Sequence, residues 1–229
     1  LIAVWGEALC FLLNALSLTV VIYMLSLTRP NVAQHAPTTG SPWTLFKEGA
    51  AYVIAHRPIR SLLMALSVVG FTSSPYAALM PAAVSEVLHA RPELVGTMLA
   101  AAGLGATLAA LALAPRRDIR GLARWILVAT LCAGGGLVGF SLSGWVPLSL
   151  AFMTVLGFGI ISQAASTNMI LQTIVDDDKR SRVMAIYTAS FIGASPVGAL
   201  VFGQLGEWIG TARALLTGGV LCLVSAAFY

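Results

Sequence analysis

Asn168 and Gln172 stand four residues apart inside "SQAASTNMILQTIVDDDKRSR", which runs from Ser162 to Arg182. At that spacing two side chains share one face of a helix. Gln163 and Thr167 repeat the spacing on a different face, so the two pairs cannot both point into one narrow cavity. Amides in an apolar helix have two uses. They hold a ligand in a cavity, or they bond a neighbouring helix for ~0.6–2 kcal/mol. Both uses are open to each pair, and Asn14 fits the second. Ser74, Tyr76 and Tyr187 lie on stretches rich in Pro or small residues and are candidates to line a cavity. Amides and aromatic hydroxyls suit a mid-sized amphipathic organic substrate better than a bare ion.

Other chemistry is missing from the sequence. His35, His56 and His89 are far apart and fall in loops, and no metal-ligand spacing occurs. Cys10, Cys132 and Cys222 form no CxxC pair and read as small buried residues. No GxxxxGK run followed by Ser or Thr would cradle a nucleotide phosphate. "GASPVG" around Ser195 lacks the glycine spacing of a nucleophile elbow. The expectation is no enzyme, no cofactor and no metal.

The elements that must position these residues follow from composition. The chain has 229 residues, of which 58% are hydrophobic and 10% charged. A soluble domain carries about 25% charged residues, so the expected solvent is a lipid bilayer. Long runs without Asp, Glu, Lys or Arg place seven spans near 6–28, 58–84, 94–114, 122–143, 146–174, 183–206 and 209–229. The expected fold is an all-α membrane protein, a polytopic helical bundle. Of the 13 Lys and Arg, only Arg91 and Arg213 fall in one set of loops. The other eleven, in 29–60, 116–124 and 179–182, mark the cytoplasmic side. Orientation thus accounts for the net charge of +4 without a nucleic-acid partner.

Residues 30–57 form the main polar interruption. "RPNVAQHAPTTGSP" reads as a linker, and "SPWTLFKEGAAYVIAHR" as a short interfacial helix that starts at Pro42. Trp43, Phe46, Ala50 and Val53 should share its apolar face, with Lys47 and Glu48 turned to water. Three parts are expected: 1–29 as a helix ending a preceding half, 30–57 as the cytoplasmic linker, and 58–229 as a six-helix bundle. A chain that begins with Leu and has one span before the linker and six after it suggests a fragment whose N-terminal six-helix half is missing. Pro75, Pro81 and Pro196 should bend their spans. A division of the six spans into three and three would pair the first with the fourth and the Gly-rich second with the fifth. Asp176, Asp177 or Asp178 should cap the helix after the charged join. Asp178, Arg180 and Arg182 are candidates for a cytoplasmic latch.

Four stretches resemble the major facilitator superfamily in its enterobactin-exporter-like, or transmembrane secretion effector, branch. They are "GEALCFLLNALSLTVVIYML", "SPYAALMPAAVSEVL", "NMILQTIVDDDKRSRVMAIY" and "GASPVGALVFGQLGEWIG". They resemble the sixth helix, the seventh, the join of tenth and eleventh, and the eleventh. Where that join usually reads Pro-Asp-x-x-Arg-Gly-Arg-Val, Asp176 replaces the Pro and Ser181 the Gly. The resemblance implies the C-terminal half of a secondary transporter in a bacterial inner membrane. It implies export of a siderophore-like or drug-like molecule by alternating access. If transport is proton-coupled, as the resemblance implies, Glu7 and Glu207 are the coupling candidates, or the carboxylate lies in the missing half. A metabolite-uptake transporter and a non-transporting sensor or scaffold are the alternatives.

Overall fold

The structure is a computed structural model that describes residues 2–27, 41–73, 75–116 and 121–227. For 2–10, 42 and 45 it describes backbone only. The described residues are helical nearly throughout, and no strand occurs among them. This follows from the solvent: in hydrocarbon, a helix satisfies its backbone groups within one segment.

The helix α1, Ile2–Leu27, belongs to a unit of its own, Leu1–Ser41. Its described side chains, from Phe11 onward, are exposed. The second unit, Pro42–Tyr229, holds everything else. It begins with α2, Pro42–Ala55. Next come α3, Arg57–Thr72, and α4, Tyr76–Glu86. Then follow α5, Glu93–Leu113, α6, Leu122–Leu142, and α7, Val146–Ile174. The last three are α8, Asp177–Phe191, α9, Ala194–Ile209, and α10, Thr211–Ala226.

Five stretches among the described residues are long and apolar enough to cross a membrane: Arg57–Glu86, Glu93–Leu113, Leu122–Leu142, Val146–Ile174 and Asp177–Ile209. Two of them are not single helices. The first expected span is divided into α3 and α4, and the one expected at 183–206 into α8 and α9. Proline explains both breaks. Its ring lacks an N–H and clashes with the carbonyl four residues earlier. Pro75 stands at the first break. Pro196 is the third residue of α9, and the carbonyl four residues before it belongs to Ile192, where α8 has ended. Pro81 does not interrupt α4. The breaks fall in the first and fifth of six spans, which the expected three-and-three pairing does not relate. Thr211–Ala226 is shorter than a full crossing.

Glycine sets the packing. Lipid tails are as apolar as Leu, so helix association in a membrane relies on close van der Waals contact rather than on burial. A Cβ on Gly157 of α7 would collide with the Ala102 carbonyl of α5, and one on Gly105 would collide with the Thr154 carbonyl of α7. Gly136 and Gly159 do the same for α6 and α7. The two broken spans cross at their breaks: a Cβ on Gly70 would lie 2.9 Å from the Phe191 carbonyl, and one on Gly198 would meet the Phe71 carbonyl and the Pro75 ring.

The helix α2 docks on α8 and α3 through Gly49 and Val53, which are buried. Val53 therefore leaves the expected outer face. Ile54, exposed, takes its place beside exposed Trp43 and Phe46, whose rings stack at 5.7 Å. Lys47 lies 5.5 Å from the Trp43 ring centre.

Candidate functional site

A cavity of about 380 Å³ opens between four helices of the bundle. Tyr76 and Ala77 come from α4, and Leu99, Ala102, Gly103 and Ala106 from α5. Gly157, Ile160 and Ile161 come from α7, and Ser195 from α9. The polar members hold a particular place in the fold. Tyr76 is the first residue of α4 and Ser195 the second of α9. Each broken span thus delivers a hydroxyl to the cavity at the start of its second segment. The wall contains no ionisable acid or base other than the Tyr76 phenol.

The expected site residues divide. Tyr76 lines the cavity. Ser74 lies outside the described residues. Asn168 and Gln172 bond each other, the Gln172 amide donating to Asn168 Oδ1. Counted in helical steps from Ile161 in the cavity wall, positions 165, 168 and 172 follow down the same face of α7. Gln172 is exposed and Asn168 half-buried. Tyr187 donates its hydroxyl to the Ala164 carbonyl at 3.0 Å, tying α8 to α7. Gln163 and Thr167 are fully buried on the other face, and Gln163 Oε1 accepts from Thr130 of α6 at 2.8 Å. Gln163 Nε2, Thr167 Oγ1, Ser162 Oγ and Ser166 Oγ are buried without a protein partner.

Glu207 is exposed and accepts from Gln204 at 3.0 Å. Glu7 lies in α1, and its side chain is outside the described ones. Asn14 is also on α1 and is exposed. At the opposite end of α4, a residue that sequence reading missed has a clear task. Glu86 accepts the Thr211 backbone N–H at 3.1 Å, capping α10 from another helix. An acid at a helix start is favoured by the free N–H groups and the dipole there. An acid next to a span end gave no indication of its target.

The charged join departs from expectation. Asp178, Arg180 and Arg182 take separate partners rather than each other. Lys179 pairs with Asp178 at 3.1 Å, Arg180 with Asp177 at 2.6 Å, and Arg182 with Glu48 of α2. Glu48 is therefore bound as well as wet. Asp176 occupies the N-cap position of α8, but its side chain makes no capping bond. It accepts instead from the Tyr52 hydroxyl of α2 at 3.1 Å. Partial burial and that bond to Asp176 push the Tyr52 hydroxyl above its ordinary value, which keeps it a donor. The acids thus clamp α2 to α8. Arg182→Glu should speed chymotryptic cleavage after Phe46 by up to about fivefold, because a partly exposed pair contributes ~0–1 kcal/mol. Adding Glu48→Arg should restore the slow rate, and a failure to restore it would remove the clamp.

Elsewhere, Arg116 sits 4.2 Å from the Trp125 ring centre, and Trp125 meets Phe158 edge-on at 5.9 Å. These contacts fix the ends of α5 and α6 against α7. Residues 117–120, half of the loop between α5 and α6, lie outside the described residues. No group of three or more His, Cys, Asp or Glu could hold a metal among the described residues.

A bundle of membrane-crossing helices with two broken spans around a neutral cavity narrows the class, and comparison decides it. A family model described as transmembrane secretion effector, within the major facilitator superfamily, matches residues 1–229. The chain belongs to that family. The comparisons with curated proteins and with solved structures give no match. As a transmembrane secretion effector of the major facilitator superfamily, it is an integral, multi-pass membrane transporter. Membership in this family of transporters also agrees with the lack of catalytic motifs in its sequence.

Proposed function

We propose that the chain exports a small organic molecule, siderophore-like or drug-like, across a bacterial inner membrane by alternating access, as a member of the enterobactin-exporter-like branch. The observation that carries this reading is the convergence of both span breaks on one neutral cavity. Discontinuous helices are how secondary transporters place polar groups at a binding site within the membrane. Here Tyr76 and Ser195 would contact the substrate near mid-membrane. Asn168, Gln172 and Tyr187 would continue the path toward the cytoplasm, the side assigned to Lys179, Arg180 and Arg182. A second six-helix half would close the open side of the cavity. Glu207 or Glu7 would carry the coupling proton, because the cavity wall supplies no carboxylate.

The test is an accumulation assay in a bacterial host stripped of its own exporters, with a panel of siderophores and amphipathic dyes. The protein should lower the accumulation of at least one compound, and dissipating the proton gradient should abolish the effect. Asn168→Ala should weaken that export severalfold at unchanged membrane abundance. Raised accumulation would assign the protein to uptake, and no change with any compound would contradict transport of this class.

A further inference from the structure

We propose that a second groove, between α3, α9 and α10, is a binding site for a phospholipid acyl chain. The groove encloses about 630 Å³ and shares no residue with the cavity above. It is lined almost wholly by apolar groups, and its three hydroxyls are already committed. Ser67 donates to the Leu63 carbonyl at 2.8 Å, Thr72 to Val68 at 2.7 Å, and Ser225 to Cys222 at 2.6 Å. Each bond lies within its own helix, so no side-chain donor remains for a ligand. A polar molecule entering the groove would give up hydrogen bonds to water and regain almost none. An acyl chain gives up none.

The position of the groove supplies the chain. Its rim is formed by Val197, Leu221 and Val224, which are 53%, 47% and 49% exposed. These residues belong to helices of a membrane-crossing bundle, where an exposed apolar rim meets hydrocarbon rather than water. The site also touches both span breaks. Thr72 is the last residue of α3 before one break, and Ala194 is the first of α9 after the other. This inference rests on the membrane-crossing fold and is independent of the export reading.

The experiment uses the whole protein in nanodiscs containing a minor share of phosphatidylglycerol with a diazirine in its acyl chain. After irradiation, label should appear at Val197, Leu221 and Val224 several-fold above Leu108 and Leu111. Those two are similarly exposed, at 46% and 65%, but lie outside the groove. A phosphatidylethanolamine carrying the same chain should label alike, because the chain and not the headgroup is recognised. Val197→Trp, which fills the groove, should remove the excess there and leave Leu111 unchanged. Even if that variant does not fold, the wild-type comparison decides. Equal labelling at groove and control positions would overturn the proposal. So would displacement of the label by a compound the protein exports, which would assign the groove to substrate.

Discussion

Gly157→Leu should leave almost no monodisperse protein in detergent, the largest loss of stability expected from any single change in the bundle. The reason is geometric. The α5–α7 crossing brings the Ala102 carbonyl against Gly157 and the Thr154 carbonyl against Gly105, so the obstacle to a side chain is backbone on both sides. Backbone cannot rotate away as a side chain can, and the helices must separate. Separation removes the close contact on which membrane helices depend. It would also open the cavity wall, which Gly157 shares with Ala102. The cost should exceed about 4 kcal/mol, in the range reserved for severe core disruption. Gly96→Ala on α5 is the control. Nothing lies within 4 Å of its added Cβ, and Ala is the better helix former by up to ~1 kcal/mol. Size-exclusion profiles and thermal unfolding of the two variants would check the pair. A well-folded Gly157→Leu protein would contradict the crossing.

The second large effect concerns function alone. Ser195→Phe should reduce export at least about tenfold, equivalent to ~1.4 kcal/mol or more, with normal abundance and thermal stability. Ser195 is half-buried at the cavity wall, so the added ring has open space to enter and little core to disturb. Ser195→Ala, which keeps the space free, should retain much of the activity. Equal loss in both variants would mean that the hydroxyl and not the space matters. Wild-type activity in both would remove the cavity from the transport path.

Much of this architecture was legible because the bilayer restricts what a chain can do. Too few charges, long apolar runs and clustered Lys and Arg led to a helical bundle with little ambiguity. Pro75 and Pro196 announced trouble in their spans, yet proline alone does not say whether a helix bends or stops. Pro81 shows the difference, since α4 continues through it. The face of α2 was misjudged because Val53 and Ile54 are both apolar and adjacent. Only Gly49, small enough to admit the Arg182 and Ile186 side chains, decides which of them turns inward. Asp176 and Glu48 were read locally, as a cap and as solvated charge, and Glu86 was given no role. Their partners are 124, 134 and 125 residues away in sequence. Spacing carries no information over such distances. Ser195 was passed over for a related reason: it was weighed as a nucleophile, although its neighbour Pro196 marked a break that presents a hydroxyl to a cavity.

The central claim is that the substrate passes between the two span breaks, and one measurement addresses it most directly. With Cys10, Cys132 and Cys222 replaced by Ala or Ser, a single cysteine at Ser195 would be labelled by a small thiol reagent with and without the exported compound. A cysteine at Thr107, exposed on α5 and outside the cavity wall, serves as reference. The compound should slow labelling at position 195 at least severalfold and leave position 107 unchanged. Equal labelling rates at position 195 with and without saturating compound would contradict the claim.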